Sequence, residues 1–191
     1  TPEQLALLVT TSGADTSGKY YRLIADMYLN DTTNPDWKND SPQNWCAPEK
    51  DNFFRGKFDG NGHTVKGLYY NGAKQDAALF AGVRGAVTIK NLVISDSELI
   101  TTKNYAAAFA GQIYNSSVVT FENCYIYDTV SVASANYAAG FIAGGTCASI
   151  SFRNCASFAT VAEVGRRGSF IGGLIYNNGT GDARKITYNN C

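Results

Sequence analysis

Along most of the chain, apolar and polar residues alternate in short runs rich in Val, Ile, Thr, Phe and Tyr, as over residues 87–94 and 117–126, with Gly, Asn and Ser between runs. A period of two in such residues predicts strands, whereas paired amphipathic helices would need apolar residues at i, i+3, i+4 and i+7. The helical signal lies at the start. Thr1-Pro2-Glu3-Gln4 has the form of a capping box with proline at the first helical position, and it predicts a helix over residues 2–10 presenting Leu5, Leu8 and Val9. With the turn that follows, residues 1–18 form a capping helix and turn. Tyr21, Leu23, Ala25, Met27 and Leu29 then alternate with mostly polar neighbours and predict one strand. Residues 30–52 shift to Asp, Asn, Pro and Ser with two tryptophans, a loop insertion.

The strand-like runs repeat. Thr88-Ile89-Lys90-Asn91-Leu92, Thr120-Phe121-Glu122-Asn123-Cys124, Ser151-Phe152-Arg153-Asn154-Cys155 and Thr187-Tyr188-Asn189-Asn190-Cys191 share one pattern, with asparagines 32, 31 and 36 residues apart. A second signature keeps phase with the first: Leu79-Phe80-Ala81-Gly82, Ala108-Phe109-Ala110-Gly111, Phe141-Ile142-Ala143-Gly144 and Phe170-Ile171-Gly172-Gly173. Strand-rich units of about 30 residues that each bury one face against the next predict a parallel β-helix. The expected fold class is all-β, a right-handed single-stranded parallel β-helix with a short N-terminal capping helix, since parallel crossovers are right-handed. The whole chain, 1–191, reads as one domain, with the repeats over 77–191.

Stacked coils superpose equivalent side chains. Phe80, Phe109, Phe141 and Phe170 are therefore expected in one interior column, flanked by the small residues Ala81, Ala110, Ala143 and Gly172. Ile89, Phe121, Phe152 and Tyr188 are expected in another. Asn91, Asn123, Asn154 and Asn190 are expected to form a ladder at a bend, where an Asx side chain can satisfy backbone or neighbouring amides. Lys90, Glu122 and Arg153 alternate in sign along the axis, which favours in-register stacking. Cys124, Cys155 and Cys191 occupy the place of Leu92 and read as small buried hydrophobes; Cys46 and Cys147 stand outside that column. An uncovered last coil would expose its edge, so more protein, another subunit or a cap is expected after residue 191.

Composition narrows the function. Sixteen basic residues balance sixteen acidic ones, so no net field favours nucleic acid or anionic lipid. No apolar run approaches the length of a membrane span, and no basic-then-apolar leader opens the chain. The single histidine, His63, sits in a glycine-rich turn, and no CxxC or CxxH spacing suggests a metal or other cofactor.

The order Gln4-Leu5, Gly18-Lys19-Tyr20-Tyr21, Ala25-Asp26, Phe58-Asp59-Gly60-Asn61-Gly62-His63-Thr64-Val65-Lys66-Gly67-Leu68, Leu79-Phe80-Ala81-Gly82 and Lys90-Asn91-Leu92 resembles the GLUG-repeat, pectin-lyase-like surface proteins of bacteria. The chain departs from that pattern in its Phe-Ala-Gly signatures and its Trp-containing loop. The resemblance implies a β-helix exported to the cell surface, its leader removed and further domains attached, and it brings no catalytic residues with it.

Sugar hydrolysis needs carboxylates converging within a few ångströms, and the repeats offer only Asp96, Asp128, Glu163 and Asp182, scattered singly; Arg166-Arg167, the dibasic pair a lyase would use, reads as a solvated turn. The reading is thus a non-catalytic, adhesin-like binding or spacer module, with a polysaccharide lyase or glycoside hydrolase as the alternative. Its expected partner is a glycan or a host or cell-surface protein. Trp37 and Trp45, accompanied by Asp36, Asp40 and Asn44, are the candidate binding residues, because flat aromatic faces edged by polar groups suit sugar rings; the competing reading packs both indoles against the first coils.

Overall fold

A computed structural model describes residues 1–10, 15–45, 53–162, 165–173, 175–176 and 185–191. It is a parallel β-solenoid with a helix, Pro2–Thr10, across one end. The helix starts as its sequence dictates: the Gln4 N–H donates to Thr1 Oγ1 at 3.3 Å, and Gln4 Oε1 accepts from the Thr1 ammonium at 2.8 Å. Leu5 and Val9 are buried and Leu8 packs beside them, closing the apolar end of the first coil.

Each full coil visits four sheets. In one such coil Phe80–Lys90 lies in the first, Val93–Ser95 in the second, Ser97–Thr101 in the third and Tyr105–Ala107 in the fourth. Every strand pairs in parallel with its counterparts in the adjacent coils, for example Phe121 with Ile89 on one side and Phe152 on the other. The long strands of the first sheet bend at an irregularity between Ile113 and Val118, where Asn115, Gly85 and Gly145 have positive φ. At Gly145 a Cβ would stand 2.0 Å from the Ile113 carbonyl oxygen, so only glycine closes that corner.

Two aromatic columns fill the interior. Phe121, Phe152 and Tyr188 stack at 5.3 and 5.2 Å with planes within 10°, and register places Ile89, Phe58 and Tyr21 in the same row. Phe109, Phe141 and Phe170 stack beside them at 4.8 and 4.9 Å. Edge-to-face contacts near 5.3 Å join the columns, the geometry that ring quadrupoles favour.

Phe80 departs from the expected column. It pairs with Ala110, one residue out of phase, so the chain puts Leu79 level with Phe109, while Phe80 stacks on Phe54 at 4.6 Å. In the expected row of small residues Ala110 is the one out of place: register sets Ala81, Ala143 and Gly172 level with Gly111, and Ala110 level with Phe80 and Ile142. Phe80 lies where the coil before it crosses the first sheet as two short strands, Phe53–Phe54 and Lys57–Asp59, and the ring of Phe54 is its stacking partner. The strand expected over residues 21–29 is two, Tyr20–Arg22 and Met27–Tyr28, with Ala25 exposed in the bend between them. Arg166 and Arg167 lie in a strand of the fourth sheet, Arg166–Gly168, rather than a turn.

Candidate functional site

The asparagine ladder is built as its spacing predicts. Asn91, Asn123, Asn154 and Asn190 all have φ between 49 and 54°, a left-handed conformation that Asn tolerates better than other residues with a Cβ. Each carboxamide donates to the one before: Asn123 to Asn91 at 2.9 Å, Asn154 to Asn123 at 3.1 Å and Asn190 to Asn154 at 2.9 Å. Asn91 donates onward to Asp59 Oδ1 at 2.9 Å.

Asp59 heads the ladder, and its role went unrecognised in the sequence although it lies 32 residues before Asn91, close to the repeat period. Its side chain is 3% exposed, with Arg22 at 3.3 Å and Lys90 at 3.6 Å, and it accepts hydrogen bonds from the Tyr20 hydroxyl and the Asn61 N–H. Burial by itself would raise its pKa. The hydrogen bonds from Tyr20, Asn91 and Asn61, together with the Lys90 charge, outweigh burial and hold the carboxyl well below the usual carboxylate range. Register runs Arg22, Asp59, Lys90, Glu122, Arg153, so the alternating-charge row is longer than the three residues the repeats suggest. Asp59 serves as a structural anchor with every oxygen engaged.

The two tryptophans are turned inward. Each is 8% exposed. Trp37 meets Tyr69 edge-on at 5.8 Å and lies beneath the Lys38 ammonium, which pairs with Glu98 at 3.1 Å. The Trp45 indole N–H donates to the Leu79 carbonyl at 3.1 Å within the core. These contacts fasten the insertion onto the coils and bury both indoles, although Trp45 and Asn44 also line a cleft of about 260 Å³ beside the helix. Asp36 and Asp40 are exposed on the loop, while Asn44 accepts from the Asn71 N–H at 3.1 Å. The five residues therefore do not form a common platform.

The aromatic surface lies elsewhere, on the outer face of the second sheet. Tyr28, Tyr125, Tyr127 and Phe158 are 55, 40, 52 and 63% exposed. Register aligns Tyr28, Lys66 and Ser95. Backbone hydrogen bonds from Tyr127 to Ile94 and from Phe158 to Ile126 continue that column. Tyr125 lies beside it, two residues from Tyr127 on the same face. Polar groups edge the rings: Lys66 lies 5.8 Å from the Tyr28 ring and 3.8 Å from Asp96, and Asp128 is exposed. The signal in the sequence was the outward half of a Tyr-Ile-Tyr alternation, which becomes a patch only when a neighbouring coil adds Phe158.

His63 borders this face. Its Nδ1 lies 3.2 Å from Asp26 Oδ1, and Asp26 also accepts from the Thr64 N–H at 3.0 Å, which chiefly lowers its pKa. The contact ties the first coil to the second. Among the described residues no three His, Cys, Asp or Glu side chains converge as a multi-ligand metal site would require. Glu163, Asp182 and Cys46 lie outside the described residues.

Cys124 and Cys155 are buried free thiols in the row of Leu92, as their position predicts. Cys191, in the same row, is exposed. Burial pushes the Cys124 thiol well above its ordinary pKa, and the neighbouring Cys155 adds to the rise. At the helical end, a cleft of about 470 Å³ opens between helix and first coil, with Leu7, Leu8, Ile24 and Met27 among its walls. No helix is long and apolar enough to cross a membrane among the described residues.

No protein-family model matches the chain, and no curated protein does. Among solved structures it is similar to one described as a "putative immunoglobulin A1 protease" from Bacteroides ovatus, at 13% identity and a TM-score of 0.46, covering 97% of this chain and 80% of that one.

Proposed function

We propose that this chain is a non-catalytic, adhesin-like binding module whose ligand is a glycan, held on the outer face of the second sheet. The observation that carries the reading is the grouping of Tyr125, Tyr127 and Phe158 as exposed rings on adjacent coils. Exposed apolar groups collected on one face are unusual on a soluble surface and mark interaction sites. Aromatic faces bordered by Lys66, Asp96 and Asp128 match the alternation of C–H faces and hydroxyl edges on a pyranose. The coils fix the rings in place, so docking sacrifices little conformational entropy. The resemblance to GLUG-repeat surface proteins supports an exported, bacterial-surface location.

The test is a glycan array followed by titration calorimetry on any hit. Tyr127→Ala with Phe158→Ala should weaken binding about tenfold or more, from roughly 1 kcal/mol per ring. Trp37→Ala should not act through the contact surface. Array silence, or binding indifferent to the double substitution, overturns the proposal, and silence leaves a spacer. Release of reducing or unsaturated sugar ends would point to the enzyme instead.

A further inference from the structure

The row that begins at Leu92 continues as Cys124, Cys155 and Cys191, one thiol per coil. All three thiols take the same direction. Each donates to the carbonyl two residues earlier: Cys124 to Glu122 at 3.4 Å, Cys155 to Arg153 at 3.2 Å and Cys191 to Asn189 at 3.4 Å. Equivalent atoms of successive coils therefore repeat at the strand spacing of about 4.8 Å. A disulfide does not suit that repeat, since it draws the Cβ atoms to about 3.8 Å and the sulfurs to about 2.05 Å. An ion held linearly by two thiolates suits it well, because two bonds of about 2.3 Å set the sulfurs roughly 4.6 Å apart.

We propose that the cysteine column is a binding site for a thiophilic, two-coordinate d¹⁰ cation, with Cys155 as the obligatory ligand and Cys124 or Cys191 as the second. Soft sulfur ligands select such ions. As the ion enters, two S–H bonds are replaced by two S–metal bonds, two protons pass to solvent, and no atom changes oxidation state. A divalent ion leaves the pair neutral overall, which an apolar interior accepts without an opposing charge. Both possible pairs share Cys155, so one chain holds one ion. A two-ligand site is compatible with the lack of any convergent three-ligand cluster among the described residues.

The probe is Hg(II), titrated into reduced protein carrying Cys46→Ser and Cys147→Ala so that only the column thiols remain. Stoichiometry is read from thiolate-to-metal absorption, proton release in weak buffer, and affinity by competition with free cysteine. One ion and two protons per chain are expected, with Zn(II), which needs four ligands, failing to compete. Cys155→Ala should weaken binding at least a hundredfold, because the remaining thiols are two coils apart, while Cys191→Ala retains a site. Cys155→Leu, the residue already present in the row at Leu92, serves as the second variant, with circular dichroism reporting the fold of each. Unchanged affinity in both Cys155 variants, more than one tightly held ion, or equal competition by Zn(II) overturns the site. The glycan face shares none of these thiols, so failure here leaves that proposal unaffected.

Discussion

Asn123→Ala probes the ladder at an interior rung. The wild-type carboxamide donates to Asn91 and accepts from Asn154, and its backbone sits at φ 52°. Two hydrogen bonds contribute about 1 kcal/mol each, and holding a Cβ residue in the left-handed region costs about another 1 kcal/mol. The expected loss is therefore about 3 kcal/mol. For a chain of this size that lowers Tm by roughly 6 to 12 °C. Asn123→Gly separates the contributions: it retains the backbone conformation and loses only the hydrogen bonds, so it should cost about 2 kcal/mol. The assay is urea denaturation followed by circular dichroism, with fluorescence as a second probe to check that the coils melt together. A cost below about 0.5 kcal/mol for Asn123→Ala would refute the ladder as a source of stability, and a glycine variant less stable than the alanine one would refute the backbone part.

Other outcomes follow from the same geometry. Asp59 has a lowered pKa in the fold, so the stability it contributes is complete above its unfolded value of about 4 and drains away as pH falls below it; Asp59→Asn should flatten that acid limb of a Tm-versus-pH curve, and an unaltered limb would contradict the anchor role. Gly60→Ala would put a Cβ 2.3 Å from the Asn91 carbonyl oxygen and 2.7 Å from Leu92 Cα, so it should cost about 3 kcal/mol or give no folded protein in the same urea assay. Trp45→Ala should destabilise by about 3 to 5 kcal/mol through the lost core packing and indole hydrogen bond, whereas Tyr127→Ala, at an exposed ring, should stay within about 0.5 kcal/mol of wild type.

What could be read in the sequence was whatever repeats. The Asn ladder, the Phe121, Phe152 and Tyr188 column and the thiol row recur at a near-constant interval, and stacking turns equal spacing into equal position. The cap was legible for a local reason: Thr1 and Gln4 satisfy each other across one helical turn. Legibility failed where a coil departs from the average. Phe80 shares a motif with Phe109 but not a register, and its ring stacks on Phe54 of the preceding coil instead.

The candidate site was less legible than the fold. Trp37 and Trp45 carry the residue types a sugar platform uses, yet whether an indole faces solvent depends on Tyr69, Lys38 and Leu79, which are distant in sequence. Tyr125, Tyr127 and Phe158 become one surface only when two coils adjoin. The sequence alone determined the periodic architecture, because a repeating pattern needs only its own copies to define its neighbours. Tertiary structure decided which aromatic residues face outward, since burial is a property of contacts between segments that no single segment contains.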